Sequence, residues 1–389
     1  MPSAPRVAER PVARWRDTLH RIGSLLAAPV RRSVATPVLV LIWVGTALAS
    51  FIVREVLPTR FFYDGGFIES IALGHPFTKP DHVFATTGWL YWALGLTLDP
   101  VLPTIFGMIV AGALVMSAYA SRSARVPLAA ALLSAGAFVL YAIYFAWYTK
   151  ETFAAVAIMV TVLLLRSNVH RVWAVAPILL YGTFLRRYWL IVVGMYVVLL
   201  IVERMRPLRW WRLAFWSAGA LVAATAGYAV VLGGSVQSIR EGVNAFRDAT
   251  DAASMIPTFA PPGNVVTDAL GAIAVVAVLV LPIPLFLTGA PMHAIYAVAI
   301  FGLWLTVAMS ASSLRAPDPD PDPDPDEPST DRYRARRTAF SCIYLLVSFL
   351  TVFAIFEPDY GSYLRHLSSL IPVMVVLVIA QSRTRSSSA

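Results

Sequence analysis

The sequence predicts an all-α, polytopic integral membrane protein with about ten to eleven transmembrane helices. Three observations predict it. Hydrophobic residues are 58% of the 389-residue chain and charged residues only 14%, with mean hydropathy +0.69. That is too apolar for a water-soluble domain. Apolar runs near the roughly 20 residues needed to cross hydrocarbon recur along the chain, and a helix is the element that satisfies its own backbone there. Alternate loops are short and rich in arginine, as cytoplasmic loops are. The net charge of +9 invites a nucleic-acid reading. The basic residues instead flank hydrophobic spans, so the charge points to membrane lipids and not to nucleic acid.

Residues 1–36 read as a cytoplasmic basic segment, rich in Arg and Pro. The first span, about Pro37 to Leu57, ends without a small-residue cleavage site and reads as an uncleaved anchor. Arg31-Arg32 before it place the N-terminus in the cytoplasm of a multi-pass protein of the cytoplasmic (inner) membrane. An outer loop, 58–85, follows, and then Thr86 to Leu98, which is aromatic and short enough to be re-entrant or interfacial. Spans near Val101–Tyr119, Leu128–Trp147, Phe153–Leu165, Val172–Leu185, Leu190–Val202 and Leu213–Leu232 alternate across the bilayer. Glu203-Arg-Met-Arg-Pro-Leu-Arg-Trp-Trp-Arg212, with four arginines, is the strongest cytoplasmic mark. A second outer loop spans 233–267.

Between Asp268 and Ser310 two full crossings would put Arg332-Tyr-Arg-Ala-Arg-Arg337 outside, against the charge rule. The break falls near Pro282-Ile-Pro284 or Gly289-Ala-Pro291; either the charge rule fails here or one piece dips in and returns, and the two closely spaced prolines favour the second. The 312–338 linker contains alternating Pro and Asp, which can neither pack nor hold a helix. Two last spans close the helical domain of 37–381, and 382–389 is a cytoplasmic tail.

Candidate functional residues gather on the outer side. They are Asp64, the Lys150-Glu151 pair, Arg186-Arg187-Tyr188, Arg240 and Arg247 in the long loop, and Arg365-His366 in the turn that begins at Glu357. Arginine outside opposes the positive-inside trend, and an anionic ligand is one physical reason to keep it there, because guanidinium grips phosphate bidentately and keeps its charge. Arg186-Arg187 snorkelling beside Tyr188 and Trp189 is the rival reading. Lys150-Glu151 reads equally as a solvated pair. Arg365 is expected to open the last span, where a cation opposes the helix dipole. His366 reads as a proton carrier or as a structural hydrogen bonder. Asp64 and Glu69 are spaced so that they share a helical face poorly, which leaves Asp64 the more useful carboxylate. Pro76 and Pro80 argue against a helix that would let His75 and His82 bind metal together. The single cysteine, Cys342, excludes an intramolecular disulfide. Walker, Gly-x-Gly-x-x-Gly, Gly-x-Ser-x-Gly and His-Glu-x-x-His signatures are all missing from the sequence. Charges within the spans are scarce, which weighs against an ion-coupled carrier.

The order of an early Asp, Lys-Glu at the head of a span, Arg-Arg-Tyr, a long loop with spaced arginines and a late Arg-His resembles the Wzy-type bacterial polysaccharide polymerases, including the EpsG-like group. It is similar more distantly to the C-type glycosyltransferase (GT-C) superfamily of polyprenyl-phosphate-dependent membrane enzymes. The likeness is one of layout, from about Pro37 to Gln381. It implies a GT-C-like fold that needs no cofactor and no metal. It implies transfer of a glycan from undecaprenyl pyrophosphate to a second lipid-linked glycan at the outer face. Arg186, Arg187 and Arg365 would hold the departing pyrophosphate, His366 or Asp64 would take the acceptor proton, and Arg240 and Arg247 would clamp the donor phosphate or orient the glycan. Implied partners are polyprenyl-(pyro)phosphate-linked glycans and other envelope polysaccharide assembly proteins. A single-sugar GT-C transferase and a lipid-linked glycan flippase without catalysis are the alternatives.

Overall fold

The computed structural model describes residues 21–75, 81–120, 124–167, 169–205, 210–232, 254–261, 263–312 and 329–386, together with positions 234–235, 237–238, 241–242 and 314. Arg240, Arg247, the Pro-Asp tract, most of the basic N-terminal segment and most of the 233–253 stretch lie outside the described residues.

The chain is mostly helical, and among the described residues two short strands act as a tie. Strand β1 (Pro29–Arg31) pairs antiparallel with β2 (Arg125–Pro127), setting Arg31 opposite Arg125. This joins the start of α1 (Arg32–Ser50) to the start of α5 (Leu128–Tyr144), with Arg32 N–H donating to Ala124 O at 2.8 Å. Between them come α2 (Tyr63–Ala72), α3 (His82–Ala93) and α4 (Leu102–Ala118). Then follow α6 (Lys150–Arg166), α7 (Ala176–Phe184), α8 (Trp189–Met205), α9 (Trp210–Leu232), α10 (Val265–Val280), α11 (Pro291–Ser312), α12 (Ser329–Phe356), α13 (Tyr360–Ser368) and α14 (Ile371–Ser386).

Two helices form the centre. α14 packs on α12, α5, α11, α4 and α6, while α12 also packs on α8 and α10. Residues Val373 to Ile379 of α14 are buried all round, as a helix apolar on every face must be when it occupies a core. The periphery is equally apolar but open. Only 17% of the apolar window of α1, 11% of that in α9 and 33% of that in α11 is covered by protein, against 89% for Asp331–Phe356. Exposed apolar helices of this kind are covered by lipid.

Among the described residues four helices are long and apolar enough to cross a membrane, or five if α13 and α14, bent by 55°, form one broken span. Leu102–Ala118, Leu128–Tyr144, Arg171–Phe184 and Val265–Val280 are apolar but shorter.

The helices alternate between two ends. One end carries Arg32, the carbonyls of Ser117 and Ala118, Arg166 and Arg171; the other carries Asp64, Tyr144, Lys150, Arg186 and Glu357. α11 leaves the second end, where Tyr296 meets Tyr144, and reaches the first, where Met309 approaches Gly23. α12 sets out from that same end, its Arg337 donating to Val169 O at 3.4 Å. α11 therefore ends, and α12 begins, at the same end of the bundle.

Candidate functional site

Four chain segments build a charged network at the second end. The first runs from α5 into α6. Gly107 of α4 admits it: a Cβ there would lie 2.0 Å from Phe145 O, so only glycine lets the chain cross so closely. Thr104 Oγ1 donates to Ala146 O, and the Tyr91 hydroxyl donates to Thr149 O at 3.0 Å while accepting from Thr149 N–H. The Thr149 hydroxyl then caps α6 by accepting from Glu151 N–H at 3.2 Å. This fixes Lys150 and Glu151 in the first turn, where the carboxylate also meets the positive end of the helix dipole.

The second segment is α2, with Asp64 in its first turn. A Cβ on Gly65 would come within 2.6 Å of the Trp147 ring, so the missing side chain is what lets α2 lie against the Trp147-Tyr148 corner. Arg54 covers the Trp147 ring at 3.4 Å. The third is the turn after α7, which brings Arg186 inward. Its Nη1 donates to the Tyr188 hydroxyl at 3.1 Å, and Tyr188 stacks on Phe356.

The fourth is the turn between α12 and α13. Ile256 N–H donates to Pro358 O at 2.9 Å and Tyr360 N–H donates to Ser254 O at 2.9 Å, a short bridge that pins the turn. Asp359 caps α13 by accepting from Ser362 N–H at 2.8 Å. Arg365 and His366 occupy the last turn of α13, not the start of the final span. Proline explains the difference. Pro372 has no N–H to continue a helix from α13, so the chain breaks near Ser369 and α14 restarts with Pro372 in its first turn. Arg365 thus sits where a cation favours the dipole.

The ionic geometry is dense. Lys150 Nζ lies 2.8 Å from Asp64 Oδ2, and Arg365 Nη1 lies 3.1 Å from the same oxygen. Glu151 Oε1 takes Arg186 Nη2 at 2.6 Å, faces His366 Nε2 at 3.3 Å and has Arg365 Nε at 3.8 Å. His366 Nδ1 bonds Glu357 Oε1. Glu151 Oε2 is buried and has no hydrogen-bond partner among the described residues. Three acids, Asp64, Glu151 and Glu357, face three basic side chains, Lys150, Arg186 and Arg365, with His366 between two of the acids. Burial alone would raise the Asp64 pKa, but Arg365 and Lys150 prevail and hold the carboxyl well below its usual range. Burial works the same way on Glu357, where His366 and then Arg186 hold the carboxyl below its ordinary value.

The network grades from sealed to open. Side-chain exposure is 1% at Glu151, 4% at Arg186 and 7% at His366, then 13% at Lys150, 19% at Arg365 and 27% at Asp64. Asp64 and Arg365 line a small open pocket walled by Phe61, Phe62, Trp147 and Tyr148. A ligand arriving there meets one carboxylate and one guanidinium, with Lys150 held on the same carboxylate.

Asp64, Lys150, Glu151, Arg186, Arg365 and His366 thus come together from distant parts of the sequence, and Lys150-Glu151 is not a solvated pair. Tyr188 supports Arg186 from the side. Arg187 is exposed, and among the described residues no ion pair links it to the network. Glu357 joins the site although sequence reasoning gave it no role. Its signal was an acid placed directly after a long apolar run and before Pro358. Among the described residues no three His, Cys, Asp or Glu side chains group as metal ligands, and His75 and His82 belong to no such group.

No family model, curated protein or solved structure matches this chain.

Proposed function

We propose that this protein is a glycosyltransferase of the polysaccharide-polymerase type, acting at the outer face of the cytoplasmic membrane with its N-terminus in the cytoplasm. It joins glycan repeat units carried on undecaprenyl pyrophosphate. The observation that carries the reading is the Asp64–Lys150–Arg365 cluster, open to a pocket at one end of an apolar helical bundle and backed by buried charges. Arg365 on the pocket wall, with Lys150 on the same Asp64 oxygen, suits a phosphate or pyrophosphate oxygen, and a lipid-linked donor reaches such a site from the exposed apolar flanks.

In this mechanism the acceptor hydroxyl oxygen bonds to the anomeric carbon of the donor glycan. The bond from that carbon to the pyrophosphate oxygen breaks, and its electron pair leaves with the pyrophosphate. Arg365 and Lys150 stabilise the charge that develops there, an electrostatic contribution that commonly exceeds any other in such sites. Asp64, the most accessible carboxylate of the network, takes the acceptor proton. His366 sits deeper, with carboxylates facing both ring nitrogens. That arrangement makes it a positioning residue which holds Glu151 and Glu357 in place. Arg186 is sealed behind Glu151 and acts through it. The concentration of these ionic groups at one end of the bundle favours one-sided chemistry over transport.

The test is the lipid-linked and surface glycan profile of cells carrying Arg365→Ala, at verified protein level. Single repeat units accumulated on the lipid, with loss of long chains, is the expected result. A wild-type profile at wild-type level removes Arg365 from the reaction and with it this function. A fall in one sugar substituent, with chain length kept, points instead to a single-sugar transferase.

A further inference from the structure

We propose that Lys150 and Arg365 form an anion-exchange site in which Asp64 occupies, in the resting protein, the place of a phosphate oxygen, and that the arriving lipid-linked pyrophosphate displaces Asp64 and so frees it to act. The inference rests on the functional reading above and adds to it a latch that couples donor binding to the release of the base.

The geometry carries it. Two cations from different helices converge on one oxygen of one carboxylate, Asp64 Oδ2, at 2.8 and 3.1 Å. A carboxylate held by both is a poor proton acceptor, because accepting a proton forfeits both interactions. A reaction that uses Asp64 as a base must therefore first take these cations away.

The cations are the fixed partners. Lys150 begins α6, capped by Thr149, and its carbonyl accepts from the Tyr181 hydroxyl at 3.4 Å. Arg365 is carried by α13, and Glu151 Oε1 lies 3.8 Å from its Nε as a second carboxylate nearby. α6 and α13 both belong to the packed bundle, whereas Asp64 stands on α2, which packs chiefly on the peripheral α3. Asp64 is also the most exposed member of the network, at 27%. The acid is the member placed to step aside. A pyrophosphate carries more charge than one carboxylate and offers several oxygens, so it satisfies Lys150 and Arg365 together and leaves Asp64 without a counter-charge beside the acceptor hydroxyl.

The latch also acts as a competitor. If it is closed in about nine molecules of ten, it weakens apparent donor affinity about tenfold. Asp64→Asn removes the competitor and the base together. The full-length variant is therefore expected to bind undecaprenyl pyrophosphate about tenfold more tightly than wild type while losing turnover.

Binding of undecaprenyl pyrophosphate, and separately of inorganic pyrophosphate, to the purified full chain in nanodiscs tests this, with Arg365→Gln as the control. Asp64→Ser serves in parallel should the Asn variant not fold. Tighter binding in either Asp64 variant, together with lost binding in Arg365→Gln, supports the latch. A gain seen with inorganic pyrophosphate as well assigns the exchange to the anion alone, and a gain confined to the lipid probe requires the carrier chain. Unchanged or weaker binding in folded Asp64 variants, while Arg365→Gln still loses binding, overturns the latch and leaves the function standing. Wild-type binding no better than that of Arg365→Gln overturns both.

Discussion

The two ends of the bundle handle charge in opposite ways. At the arginine end, cations close off helix termini. Arg166 Nη1 donates to Ser117 O at 3.2 Å and also to Ala118 O, the last carbonyls of α4. Arg171 holds Glu203 at 2.6 Å and donates to Ser341 Oγ at 2.6 Å. These bonds join neighbouring helices one pair at a time. At the other end, about 22 Å away along α6, seven ionisable groups share partners, and a single oxygen, Glu151 Oε1, faces Arg186, His366 and Arg365. Capping needs one cation for each helix terminus. A network that buries Glu151 at 1% exposure and still leaves Asp64 at 27% beside a pocket is costlier than capping requires. The difference teaches that arginine count alone does not identify a site; sharing of partners and a graded opening to solvent do.

The largest expected effect breaks the network at its sealed centre. Glu151→Gln leaves Arg186 buried without its carboxylate and should cost about 3 to 5 kcal/mol, read as thermal unfolding in detergent. A loss below about 1 kcal/mol would show that Arg186 finds other compensation. The next sharpens the comparison from the arginine end. Arg171→Gln strands Glu203 and should cost about 2 kcal/mol, yet leave the glycan chain-length profile unchanged once protein level is matched. A changed profile would give that end a functional part.

A smaller effect is pH-dependent. The Asp64 pKa is lowered in the fold, so its stabilisation is fully present above the ordinary carboxylate value of about 3.9. It is lost as pH falls below that value toward the depressed one. The stability difference between wild type and Asp64→Asn should therefore hold constant from pH 7 to 5 and shrink below pH 4; a difference that shrinks already between pH 7 and 5 would contradict the ion pairing. The smallest effect belongs to Arg187→Ala. Arg187 is exposed, and stability should stay within about 0.5 kcal/mol of wild type with a normal glycan profile. A loss of long chains in this variant would extend the site beyond the buried network.

Much of the site was legible as a list of misfits. Asp64, Lys150, Glu151, Arg186, Arg365 and His366 stand out because charge at the edge of apolar spans is expensive. Their mutual distances were not legible. Nothing local in Asp64-Gly-Gly announces that Gly65 admits the Trp147 ring, or that Lys150 reaches back to Asp64. The place of Arg365 in the last turn of α13 is not legible from hydropathy, because the apolar run from Leu370 onward does not mark where one helix ends and the next begins. The break lies in the backbone donor that Pro372 lacks, and hydropathy is blind to it. Glu357 looked like one acid among several until its bond to His366 distinguished it from Asp359, which caps α13.

The sequence by itself determined the solvent and the helical class. A chain so apolar must satisfy its backbone within its own helices, and its short arginine loops divide those helices into alternating passes. Only the tertiary structure decided which apolar helices meet protein and which meet lipid. α12 and α9 are both long and apolar, yet one is core and the other periphery. Only the tertiary structure decided which charges share a partner. Hydropathy is a sum over neighbours along the chain, whereas ion pairing depends on distance through space, and Asp64, Lys150 and Arg365 become neighbours only when α2, α6 and α13 pack.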